Sequence, residues 1–181
     1  MSNLPTPRNL AYAGLFGAAA LLLPMLFHLV HLGHVFMPMY LPLLALAFLV
    51  RPAPAAITAA VTPLLSAAVT GMPPFYPPVA VFMAIELSAM AGFIAVVLAR
   101  WPRANTWILL SLALALGRCL YLGLTYGFSL VIHLPAEYLA AVSFLGAWPG
   151  LILILFTVPP VIHAIRRTAR PSDPSSKEQP S

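Results

Sequence analysis

Apolar runs long enough to cross a bilayer recur along this chain, and they leave it one environment in which to fold. Such runs occupy residues 9–32, 36–50, 53–69, 79–99, 106–132 and 138–165. About 20 apolar residues in a helix match a hydrocarbon core of about 30 Å. The expected architecture is therefore an all-α membrane protein of six transmembrane helices, with the second and third rather short. Composition agrees: 61% of the 181 residues are hydrophobic and 7% are charged, against the roughly 25% charged residues of a soluble domain. A chain of this length holds one membrane domain, at 9–166, between a short N-terminal segment, 1–8, and a tail, 167–181. The tail is polar and proline-rich without apolar periodicity, and is expected to be disordered.

Pro24, Pro42, Pro63, Pro149, Pro159 and Pro160 punctuate the runs. In a membrane bundle neighbouring groups satisfy the carbonyls that proline frees, so kinked helices are expected rather than broken ones. No small-residue cleavage site follows the first run, so it is read as a retained span rather than a signal peptide.

Basic residues set the orientation. Arg8, Arg51, Arg100, Arg103, Arg166, Arg167, Arg170 and Lys177 all fall at alternate connections or the termini, and the intervening connections carry no Lys or Arg. By the positive-inside rule both termini are cytoplasmic. The net charge of +5 is accounted for by topology, leaving no basic face for a nucleic acid.

Two charges fall within the spans. Glu86 lies about 10 Å below the outer surface and Arg118 about 12 Å below it, counting 1.5 Å per residue along consecutive antiparallel helices. A charge at this depth costs at least about 2.5 to 3.5 kcal/mol, so it faces a partner or a watery cavity. Two readings stand: an ion pair that locks two helices, or groups lining a polar pocket open to the outside. Near the other end of the first run, Ala13 with Gly17 and Gly14 with Ala18 place small residues four apart, allowing another helix to approach closely, within the chain or from outside it.

The stretch FHLVHLGHVFMPMY spaces His28, His31 and His34 by three residues, with Met37 and Met39 following. Imidazole and thioether suit a transition metal or haem iron; equally, these histidines can border or line a pocket at the membrane mouth. Tyr121 and Trp148, inside the fifth and sixth runs, can stack on a flat heterocycle or pack helices. Trp101 and Trp107 read as interface anchors. Cys119 has no cysteine partner in the chain.

The order of these motifs resembles the substrate-binding S components of energy-coupling factor (ECF) transporters. The resemblance runs over about residues 9–166, through LLLPMLFHL, FMPMYLPLLALAFL, AVTPLLSAAVTGMPP, FMAIELSAMAGFIAVVLAR, LALGRCLYLGL and WPGLILILFTVPPVIHAI. It implies a six-helix subunit of the cell membrane that captures a vitamin or related micronutrient from outside and passes it to a T subunit driven by two ATPases. The T subunit would meet Ala13, Gly14, Gly17 and Ala18. The binding region would draw on the outer halves of the spans: His28, His31, His34, Tyr40, Glu86, Arg118, Tyr121 and Trp148. Tyr40 stands where related sequences often have histidine. No catalytic residue and no cofactor are implied, and the chain has no phosphate-binding glycine loop, so ATP hydrolysis would belong to the partner ATPases. The alternatives are a similar binder of a transition metal or tetrapyrrole through His28, His31 and His34, and a membrane scaffold without transport activity.

Overall fold

The computed structural model describes residues 6–29, 38–132 and 148–168, which are mostly helical, with no strand among the described residues. The helices are α1 (Pro7–Leu29), α2 (Tyr40–Ala47), α3 (Pro52–Thr70), α4 (Val79–Arg100), α5 (Thr106–Ile132) and α6 (Trp148–Thr168). Five of them, all but α2, are long and apolar enough to cross a membrane. The chain is a multi-pass membrane protein, helical throughout its described elements.

Local sequence explains several helix ends. α3 starts with Arg51 extended at φ −66°, ψ 159° and Pro52 in its first turn, where proline's missing N–H costs nothing. It ends at Gly71, whose φ of 74° is left-handed, the conformation glycine adopts without a Cβ penalty. The Gly71 N–H donates to the Ala67 carbonyl at 3.0 Å. Asn105 caps α5 with its Oδ1, accepting the N–H of Trp107 at 2.9 Å and of Ile108 at 3.4 Å.

The expected second span is where sequence and structure part. Residues 36–50 read as a crossing helix, yet among the described residues only the eight of Tyr40–Ala47 are helical there, after a turn at Pro38 and Met39. Eight residues rise about 12 Å, well short of the hydrocarbon core. Pro42, Leu43, Leu44, Ala45, Leu46 and Ala47 are all buried, together with Tyr40. A helix apolar on every side belongs inside a bundle, and α2 packs against α1, α3, α4 and α6. Leu43, Leu44 and Leu46 join Leu87, Met90 and Ile94 of α4, Leu110 of α5, and Ile154 and Ile162 of α6 in the core.

The other expected spans match described helices, except that residues 30–32 of the first and 138–147 of the sixth lie outside the described residues, as does the tail from 169. α3 and α4 pack closely because their contact faces are small. A Cβ on Gly92 would lie 3.6 Å from the Ala56 Cβ, an ordinary contact. At the basic end, Arg166 Nη2 donates to the Phe48 carbonyl at 3.2 Å, so a cation from the last turn of α6 caps the C-terminus of α2. Trp101 and Trp107 flank the α4–α5 connection at this end, both exposed.

Candidate functional site

Three helices each contribute one polar side chain to a single cluster. Tyr40 opens α2, Glu86 lies in the first half of α4, and Arg118 sits midway along α5. The Tyr40 hydroxyl donates to Glu86 Oε2 at 2.5 Å. Arg118 Nη2 donates to Glu86 Oε1 in a salt bridge and also reaches the Tyr40 hydroxyl at 3.3 Å. Glu86 is completely buried, and the Arg118 side chain is 12% exposed. The guanidinium also stands 5.8 Å from the centre of the Tyr40 ring and 5.6 Å from that of Tyr121, within range of cation–π attraction. The depth arithmetic set Glu86 and Arg118 level with each other, and the structure joins them. It also adds Tyr40, which the spans alone could not place beside Glu86, 46 residues away.

The electrostatics follow from this geometry. A lone carboxylate in an apolar interior is prohibitively costly, whereas a paired and hydrogen-bonded one is tolerated. Both Glu86 oxygens have donors, and the pair is neutral overall. Arg118 is less completely satisfied: among the described residues its buried Nε has no hydrogen-bond partner. The same holds for the buried hydroxyl of Thr125, two turns further along α5. Arg118, Tyr121, Thr125 and Ser129, spaced three, four and four, lie along one side of α5, with Thr125 and Ser129 buried. Across from them, the Phe82 ring of α4 meets Tyr121 edge-on at 6.4 Å and Phe128 at 5.8 Å.

Gly117 is a packing position beside the cluster to which the sequence reading assigned no role. A Cβ there would collide with Met90 Sδ and fall 3.0 Å from both Met90 Cγ and Glu86 Oε1. The missing side chain lets α5 approach α4 at the level of the ion pair. The available signal was the glycine directly before a membrane-embedded arginine.

The remaining candidate residues fall in several places. His28 is in the last turn of α1, while His31 and His34 lie outside the described residues, and so does any convergence of the three. Trp148, 50% exposed, is the first described residue of α6, and the part of the sixth run that precedes it, 138–147, lies outside the described residues. The small residues of α1 divide between two faces. A Cβ on Gly17 would meet the Thr58 methyl of α3 at 3.3 Å, so this position packs within the chain. Gly14 and Ala18 are exposed, and a Cβ on Gly14 would meet no atom within 4 Å among the described residues. At the basic end a wide, mostly apolar hollow of about 720 Å³ opens over Arg100–Ala104. It is walled by a single connection, about 20 Å of helix away from Glu86, and its position gives it no part in the buried cluster.

Compared with known proteins, the chain matches no family model, no curated protein and no solved structure.

Proposed function

We propose that this chain is the substrate-binding membrane subunit of an ECF-type importer, with both termini cytoplasmic in the cell membrane. It captures a vitamin or related micronutrient from outside and passes it to a T subunit and its two ATPases. The observation that carries this reading is the Tyr40–Glu86–Arg118 cluster: three polar side chains brought from three helices into the interior of an otherwise apolar bundle. With the arginine-bearing end in the cytoplasm, the cluster lies in the outer half of the membrane, where a molecule entering from outside would meet it. The motif order supports the ECF assignment, and the open face at Gly14 and Ala18 offers a surface for a partner helix. A scaffold would use the same ion pair only as a lock; the uncommitted donor on Arg118 favours a binder.

Native mass spectrometry of the full chain, extracted in mild detergent from cells grown in rich medium, tests the reading. A stoichiometric vitamin-sized adduct, lost from Arg118→Lys while that variant stays folded, is expected. Protein that carries no small molecule and gains no mass when incubated with a panel of B vitamins would overturn it. A haem or metal adduct would instead select the histidine alternative.

A further inference from the structure

The donors that the cluster leaves unused specify the kind of molecule it takes, and this inference rests on the binder reading. Arg118 spends Nη2 on Glu86 and Tyr40, while its Nε, also buried, has no partner among the described residues. The Thr125 hydroxyl, in a residue only 7% exposed, is likewise unpartnered among the described residues. Buried polar groups are normally satisfied, and each one left open is costly. Threonine within a helix commonly satisfies itself by donating to the carbonyl four residues back, as Thr62 does to Thr58 at 2.7 Å. Thr125 does not. The two open groups lie on one side of α5, about 10 Å apart along its axis, the length of a small heterocyclic molecule.

Charge decides what fills them. Glu86 already neutralises Arg118 through direct contact, so the spare N–H offers a hydrogen bond with no uncompensated positive charge behind it. A carboxylate or phosphate docked there would leave the buried site with a net negative charge. At membrane depth that penalty amounts to roughly a hundredfold in affinity. An amide, ureido or ring carbonyl accepts the same hydrogen bond without it. We infer that the face of α5 running from Arg118 to Thr125 and Ser129 is the recognition surface for an uncharged, carbonyl-bearing ligand. Its acceptor takes the Arg118 Nε–H, and a second polar group meets the Thr125 hydroxyl. Tyr121 and Phe82 supply aromatic surface beside it.

The test reads access and charge preference without requiring the ligand. In full-length protein carrying Cys119→Ala, the variants Thr125→Cys, Ser129→Cys and Leu110→Cys are reconstituted in liposomes. Each is treated from outside with methanethiosulfonates bearing hydroxyethyl, sulfonatoethyl or trimethylammonioethyl ends, and rates are normalised to those with a free thiol. Thr125→Cys is expected to react with the neutral reagent and at least tenfold more slowly with either ion, and core Leu110→Cys with none. Ser129→Cys, one turn further along, is read the same way should Thr125→Cys fail to fold. Equal or faster reaction with the sulfonate would overturn the preference for an uncharged ligand. Absence of reaction with every reagent would overturn the recognition surface itself. Either failure leaves the binder reading to be judged separately by the adduct measurement above.

Discussion

Gly117 and Tyr40 decide how well the buried charges are held, and each makes a separate prediction. Gly117→Ala puts a methyl into Met90 and against Glu86. Overpacking of this kind typically costs about 1 to 3 kcal/mol, so the thermal transition in detergent should fall clearly. Gly123→Ala, on the same helix with no atom within 4 Å of its added Cβ among the described residues, should be neutral or slightly stabilising. Equal melting of the two variants would remove Gly117 from the account. Tyr40→Phe deletes a hydroxyl hydrogen-bonded to a carboxylate, worth about 1.5 to 3 kcal/mol, and the loss should appear in the same melt. At this scale the charged pair was legible in the sequence because ionisable groups in apolar runs stand out and helix rise converts position into depth. Tyr40 was visible as a candidate but not as the donor to Glu86. That bond depends on how α2 sits in the bundle, and Gly117 matters only through the position of a methionine on another helix.

At the scale of elements, α2 and α1 carry the information that hydropathy could not. Hydropathy reports how apolar a run is, and residues 36–50 are as apolar as a span; whether that surface meets lipid or other helices is settled by tertiary packing. Because α2 is enclosed, Leu44→Ala should cost about 2 to 5 kcal/mol, as in the core of a much larger helix. Loss of under about 0.5 kcal/mol would mean that α2 is not the packed centre. α1 poses the other question, since a small-residue pattern does not say which face turns inward. Gly17→Leu should destabilise the isolated chain by driving a side chain into Thr58, whereas Gly14→Leu should leave its melting unchanged. If a T subunit docks on the outward face, Gly14→Leu should nevertheless reduce its recovery in pull-downs with the co-expressed transporter subunits. Undiminished recovery with both Gly14 and Ala18 enlarged would place that contact elsewhere.

Across the described residues, four of the five long apolar helices pack around the short one, and the buried polar cluster ties α2, α4 and α5 together at one level. The helical class and the long spans followed from run length, because a bilayer leaves a chain few ways to satisfy its backbone. The convergence of three helices on one neutral cluster did not, since it needs the bundle's packing order. That cluster is the central claim, and a double-mutant cycle on Glu86 and Arg118 addresses it most directly. Unfolding stability would be measured in the same detergent for Glu86→Gln, Arg118→Met and the two combined. Either single change leaves one buried charge without its partner and should cost about 3 to 5 kcal/mol, while the combined change should cost less than the sum of the two. Strictly additive losses, or single variants as stable as the wild type, would contradict a coupled pair at the centre of the bundle.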